Sequence, residues 1–282
     1  MRLGLRPIVS LTDHDDIEAG LSLDVTTEIC DAPLSVEWTV PYARSIFHLG
    51  VHNIPRDASR DLRAMQEYTA TPREADLPEI LEQLSRVPGV LVVLNHPFWL
   101  EEGVVEHEHR AALDRILREC IAWFNAFELN GTRRWKENSD TVELARTHGR
   151  PLVSGGDRHA CEPSACINLT NASTFEDFVA EIQSGFSSIL FLPQYREPMA
   201  QRVLEATRDI LRTYPEYPGR ERWSDRIFYR GDDGVARTVA QVWKGRGPRW
   251  LGGAAAAVRL LGGSGFRPAL RLLLAERGEL HP

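Results

Sequence analysis

Five groups of polar residues stand beside apolar runs, and their side chains are of the types that bind metal ions or move protons. They are Asp13-His14-Asp15-Asp16, Glu37 with His48, His96, Glu128, and Asp157 with His159. Imidazole and carboxylate together make the mixed nitrogen and oxygen donor set suited to Zn²⁺, Mn²⁺ or Fe²⁺. Two or three such ions close together activate water and clamp a phosphoryl group. Each group also has a plainer reading. Asp13-His14 can close an ordinary turn, and His48, in the run Ile46-Phe47-His48-Leu49, can be a satisfied core histidine. His52 shares the face of His48 by strand alternation, so only one of the two need be a ligand. The strongest signals are Asn95-His96-Pro97, where proline fixes the exit of the chain, and Gly155-Gly156-Asp157-Arg158-His159. In the latter the glycines permit a tight turn and alternation points Asp157 and His159 the same way.

These groups need elements to hold them. The apolar segment Arg6 to Thr12 reads as a strand, and Leu34 to Val40 and Arg44 to Val51 as two adjacent strands around Pro41. Val90 to Leu94 (VLVVL) has the continuous apolar character of a strand buried on both faces, as in a parallel sheet. Ala122 to Leu129, Pro151 to Ser154, Ala165 to Thr170 and Ser187 to Leu192 complete the set. Helical spacing covers Asp57 to Tyr68, Asp76 to Ser85, His107 to Cys120, Asn138 to His148 and Thr174 to Ser184. Gly149 is placed to cap the fourth of these, and Thr174 with Asp177 fits a capping box in the last. Strand and helix alternate, which predicts an α/β fold with mostly parallel strands and its chemistry after the strand ends. After Pro193 the character changes: a helix over Met199 to Leu211, a breaker at Tyr214 to Gly219, then a Gly- and Arg-rich stretch with a short amphipathic helix at Phe266 to Leu274.

Composition excludes several classes. The 282 residues, 43% hydrophobic and 26% charged, suit one large globular domain with a small addition. A net charge of −7 argues against general nucleic-acid binding. The charge is uneven: from Gly219 onward 12 basic and 6 acidic residues give +6, leaving −13 elsewhere. Such a basic tail can dock on its own acidic body or on an acidic partner. No signal-peptide pattern opens the chain, and no run reaches the roughly 18–20 apolar residues of a membrane span. The expected setting is cytoplasmic, with Cys30, Cys120, Cys161 and Cys166 as reduced thiols.

The ordered motifs resemble those of the PHP (polymerase and histidinol phosphatase) superfamily. Leu11-Thr12-Asp13-His14 is similar to its second motif, and Val36-Glu37 followed by Phe47-His48-Leu49-Gly50 to its third. Asn95-His96-Pro97 is similar to the His-Pro motif that follows, and Ser154-Gly155-Gly156-Asp157-Arg158-His159 to the final one. The resemblance spans Leu3 to Leu192. It implies a distorted (β/α)₇ barrel over residues 1–195 carrying a centre of two or three divalent ions, with a C-terminal helical extension over 196–282. It implies a hydrolase of phosphoesters acting on a small phosphorylated substrate, a metabolite or a nucleotide. By the same resemblance Glu37 bridges two ions, His48 and His96 complete one of them, Asp157 serves the other, and His14 and His159 hold a third. Glu128 and Asn130 orient ligands, and Asp13, Glu128 and Arg134 are the candidates for catalytic roles.

The superfamily's first motif, His-x-His on the first strand, is absent. Leu3-Gly4-Leu5-Arg6 resembles the tail of the helix that follows that strand, so the expectation is an upstream continuation that supplies it. The alternative is a degenerate, non-catalytic binding or regulatory module. For the substrate, Arg133, Arg134, Lys136 and Arg158 are the candidate phosphate contacts. Phe98 and Trp99 can stack on a base or sugar, or simply pack the wall.

Overall fold

The computed structural model describes residues 5–17, 20–21, 32–157, 165–231, 235–244 and 248–274. Its centre is an antiparallel hairpin of β2 (Ser35–Tyr42) and β3 (Ser45–His52), with Ser35 opposite His52 and Tyr42 opposite Ser45. The two-residue turn sets Ala43 at φ 47° and Arg44 at φ 63°. That is the positive-φ geometry that matches strand twist in tight hairpins, reached here without glycine or asparagine.

The strand β4 (Leu91–Asn95) pairs antiparallel with β3, and β5 (Ala126–Asn130) and β6 (Leu152–Gly155) follow in parallel. On the other side β1 (Asp13–His14) lies parallel to β2. The six strands stand in sequence order. The sheet is therefore mostly parallel, as expected, and of its six strands β3 is the one that runs against the others. The reason is the turn at Ala43-Arg44, because a parallel pair needs a crossover of a dozen residues or more. Among the described residues the ladder is open between β1 and β6. A separate antiparallel pair, β7 (Cys166–Asn168) and β8 (Ile189–Phe191), attaches to β6 through side chains. Asn168 Oδ1 accepts from the Ser154 N–H at 2.7 Å, and Ser187 Oγ donates to the Leu152 carbonyl.

One expected strand does not form. Residues 6–12 are irregular, β1 begins only at Asp13, and Val9 and Leu11 are exposed. The segment has no ladder partner among the described residues. Ser10 holds it, donating from Oγ to Ser35 Oγ at 2.8 Å, with His52 Nδ1 also 2.8 Å away.

Alternation divides the sheet into two faces. Val36, Trp38, Val40, Phe47, Leu49, Val51, Val92 and Leu94 point to one of them. There they meet α1 (Ser59–Ala70), α2 (Leu77–Ser85) and α3 (Glu106–Cys120), whose Met65, Leu81 and Ile116 are buried in the same core. Trp38 is fully buried and its indole N–H reaches the Met65 carbonyl at 3.1 Å and Thr69 Oγ1 at 3.0 Å, which ties α1 to β2. The opposite face is apolar only at one end, where Leu91, Val93, Ala126 and Val153 pack on Phe175, Val179 and Ile182 of α5 (Phe175–Gln183). At its other end this face carries the polar residues. Between β5 and β6 runs α4 (Trp135–His148), closed by Gly149 in the left-handed conformation at φ 60°. The expected Thr174/Asp177 capping box is present at the start of α5.

The chain divides into two compact units, Met1–Gly155 with Cys166–Phe191, and Gly156–Ala165 with Leu192–Pro282. The sheet belongs to the first. The second contains α6 (Met199–Ile210), the hairpin β9 (Phe228–Arg230) and β10 (Ala236–Thr238), α7 (Val239–Val242), α8 (Arg249–Leu261) and α9 (Arg267–Leu274). Basic side chains of the tail are used within this unit. Arg267 pairs with Glu205, Arg271 with Glu197, and Arg259 donates to the Leu211 carbonyl. No helix among the described residues is long and apolar enough to cross a membrane. Burial pushes the thiols of Cys120 and Cys166 up to about 12, so both stay protonated, as expected of structural cysteines; Cys30 and Cys161 lie outside the described residues.

Candidate metal centre

Register explains how residues far apart in sequence meet. Glu37 lies opposite Gly50 and Thr39 opposite His48 on the hairpin, while His48 lies opposite Asn95 on β4. Directly opposed residues share a face, so Glu37, His48, Gly50, His52 and Asn95 all project from the polar end of the sheet. His96 follows immediately, at φ 26°. This positive φ, unusual for a residue with a side chain, turns the ring back over the sheet. Its Nε2 comes to 3.1 Å from Glu37 Oε1, and His48 Nδ1 to 3.6 Å from the same oxygen. The donor atoms of Glu37, His48 and His96 lie within 4.8 Å of one another, and all three residues are buried.

Two further groups surround this triad. Asn95 donates from Nδ2 to Glu37 Oε1 at 3.1 Å. His14, opposite Glu37 on β1, brings Nε2 to 3.8 Å from Glu37 Oε2 with its side chain 47% exposed, so it stands at the rim. The imidazole rings of His14, His48 and His96 meet edge to face, with centroids 5.3 and 5.1 Å apart along that order. Trp99 closes the wall at 5.4 Å from both His48 and His96, and Arg133 Cζ lies 4.8 Å above its ring.

The electrostatics favour one charge state. Burial by itself raises the Glu37 carboxyl, but the His96 hydrogen bond and charge, the Asn95 amide and the His48 charge outweigh it, bringing the group down to about 2. Burial, with the neighbouring His96, lowers His48 to about 4, and burial lowers His52 to about 4. A carboxylate beside a neutral His48 ring is a form that donates lone pairs to a cation.

Behind the triad sits a second buried carboxylate. Glu128 accepts from the His96 N–H at 2.9 Å and from Asn130 Nδ2 at 3.1 Å, and burial pushes its carboxyl above the usual range. It therefore holds the strained His96 turn from beneath. Asn130 is fixed in turn by Asn138, which exchanges two hydrogen bonds of 2.9 Å with its backbone. Gly155, opposite Asn130, leaves the space that Glu128 fills.

The remaining candidates are distributed as follows. Asp13 is exposed and lies opposite Val36, so alternation sets it on the face away from His14. Asp15 continues along the edge of β2, donating its N–H to the Glu37 carbonyl at 3.1 Å and accepting from the Thr39 N–H at 2.7 Å. Arg134 is exposed just before α4, and the Lys136 ammonium, also exposed, is 2.8 Å from Asp140 on its own helix. Asp157, at φ 40°, belongs to the second unit, and Arg158 and His159 lie outside the described residues. Asn95 and Asn138 carry weight that the motifs did not assign, and Gly155, expected to permit a tight turn, lies in β6 and serves instead by leaving room for Glu128. The signal of the two asparagines was a polar residue at an inward position of an apolar strand or helix.

No model of a known protein family matches this chain, and no curated protein matches it either. Among solved structures it is similar to an amidohydrolase from Chromobacterium violaceum with bound sulfate and no metal. The two are 16% identical with a TM-score of 0.39, over 64% of this chain and 86% of that one.

The geometry of the site fits a small divalent cation. Donors about 2.1 Å from one tetrahedral ion stand about 3.4 Å from each other. The Glu37–His96 and Glu37–His48 separations of 3.1 and 3.6 Å bracket this spacing. The site also depends on a missing side chain. A Cβ at Gly50 would stand 2.6 Å from His52 Nε2 and 2.9 Å from Asn95 Oδ1. Gly50→Ala is expected to destabilise the protein by about 1–3 kcal/mol and to weaken metal uptake by shifting Asn95 off Glu37. Thermal unfolding and metal titration of the variant measure both effects, and an unchanged variant would show that the niche is slack.

Proposed function

We propose that this protein is a metal-dependent hydrolase of phosphoesters of the PHP kind, acting on a small phosphorylated metabolite or nucleotide. The observation that carries the reading is the buried Glu37/His48/His96 triad, three lone-pair donors converging where burial would otherwise disfavour a carboxylate. Glu37, His48 and His96 would hold one ion. His14, Asp157 and His159 are the residues proposed for one or two more, by the motifs they occupy. Zn²⁺, Mn²⁺ and Fe²⁺ suit this donor set, and bound there they would supply Lewis acidity and activate water near neutral pH.

The chain's own residues account for the rest. Glu37 would supply the negative charge that compensates a cation, and His48 and His96 would coordinate it as neutral rings. Glu128 keeps the His96 backbone turned. Arg133, spread over Trp99 beside the two histidines, offers a guanidinium to a phosphate lying over the centre. Trp99 and Arg133 together make one wall of the site.

Chromogenic phosphomonoesters and phosphodiesters are expected to be hydrolysed in a Mn²⁺- or Zn²⁺-dependent way. His96→Ala is expected to lower kcat by at least about 100-fold, a loss of about 2.7 kcal/mol or more in transition-state stabilisation. His107→Ala, on the exposed side of α3, is expected to leave the rate unchanged. Equal losses in both variants would overturn the choice of histidines. A metal-loaded protein inactive on a broad phosphoester panel would point to a binding or regulatory role.

A further inference from the structure

We propose that His109 is a positioning residue of this centre, one that fixes the backbone carrying His96 relative to the strand carrying His48. The inference rests on the reading of Glu37, His48 and His96 as metal ligands. His109 lies on α3, is 2% exposed, and uses both ring nitrogens. Its Nε2 is 2.8 Å from the Pro97 carbonyl and its Nδ1 is 2.7 Å from Ser45 Oγ. A carbonyl only accepts, so Nε2 carries the hydrogen. Nδ1 is then a lone pair that accepts from the Ser45 hydroxyl, and a single neutral tautomer satisfies both contacts.

Those two contacts join the two halves of the triad. Ser45 begins β3, three residues before His48, and is itself buried. Pro97 follows His96, whose positive φ needs support on both sides. Glu128 takes the His96 N–H on one side, and His109 takes the Pro97 carbonyl on the other. The His109 ring also packs on Phe47, centroids 5.0 Å apart, so its own orientation is set by the strand beside His48. An imidazole whose donor and acceptor are both committed between two ligand-bearing segments sets the distance between those ligands. In metal sites such outer partners tune affinity without touching the ion.

The test uses the full chain and reads His96 directly. In the metal-free protein, the His96 ring resonances are expected to move in His109→Phe. They are expected to return to the parental positions in His109→Gln, whose amide N–H can still reach the Pro97 carbonyl. With Co²⁺ as the probe, His109→Phe is expected to bind about 10- to 100-fold more weakly and with an altered visible band, while His109→Gln stays close to the parent. If His109→Phe does not fold, Ser45→Ala carries the same comparison, since it removes only the contact to Nδ1. Unmoved His96 resonances in His109→Phe, or in Ser45→Ala where the former does not fold, would overturn the proposal. A parental chain that takes up no Co²⁺ would remove the metal reading, and the metal-free resonances would still decide whether His109 positions His96.

Discussion

Gly155→Ala is expected to destabilise the protein by about 3–5 kcal/mol and to abolish metal uptake. A Cβ at this position would stand 1.5 Å from Glu128 Oε1, 2.4 Å from its Cδ and 2.8 Å from its Cγ. The collision reaches down to Cγ, so a turn of the carboxylate tip does not relieve it. Glu128 is buried and accepts two hydrogen bonds, from the His96 N–H and from Asn130. Moving it leaves both donors unsatisfied in a water-poor site, and each such loss costs roughly 1–3 kcal/mol. The His96 turn is then free to relax toward negative φ, carrying the ring away from Glu37. Denaturant titration measures the stability, and metal analysis the uptake. The double variant Gly155→Ala/Glu128→Ala is expected to recover part of the stability, because the second change clears the space, but none of the metal. A single variant as stable as the parent would show that Glu128 is not wedged as described.

Glu37→Gln is expected to lower metal affinity by more than about 100-fold, since even partners outside the ligand shell cost 10- to 100-fold. The change keeps the shape and removes the charge. Glu37 is the residue that every other member of the cluster addresses: His96 at 3.1 Å, Asn95 at 3.1 Å, His48 at 3.6 Å and His14 at 3.8 Å. An amide offers one weaker donor oxygen and no compensation for a divalent cation. The fold is expected to survive, because Gln still accepts from Asn95 through Oε1. A chelator competition on the folded variant measures the affinity. Parental affinity in Glu37→Gln would remove Glu37 from the ligand set.

Much of this arrangement was legible in the chain, for definite reasons. Buried strands announce themselves by apolar runs, so the strand Leu91–Asn95 stood out through the run Val90 to Leu94 (VLVVL), preceded by Pro88-Gly89. Glu37, His48 and His96 were conspicuous as polar residues inside or at the end of such runs. The Gly149 cap and the Thr174 capping box follow from local chemistry alone. The parallel character of the sheet followed from the alternation of strand and helix, but the reversal of β3 did not. The hairpin turns at Ala43-Arg44, residues with no preference for positive φ, and tertiary pairing imposes it. Arg6 to Thr12 has the apolar character of a strand, yet composition says nothing about whether a partner is there to complete the ladder. His109 was hidden in an apolar helix face with Leu113, Ile116 and Leu117. Its position four residues before Leu113 marked it as inward-facing, but only the fold shows that Pro97 and Ser45 wait on either side of it.

Glu37, His48 and His96 are proposed to bind a transition-metal ion. Elemental analysis of the purified chain, after chelation and reloading with Zn²⁺, Mn²⁺ or Fe²⁺ and removal of free metal, tests this most directly. At least one tightly held ion per chain is expected, lost in His96→Ala and kept in His107→Ala. A well-folded chain that carries no transition metal and takes none up after reloading would contradict this.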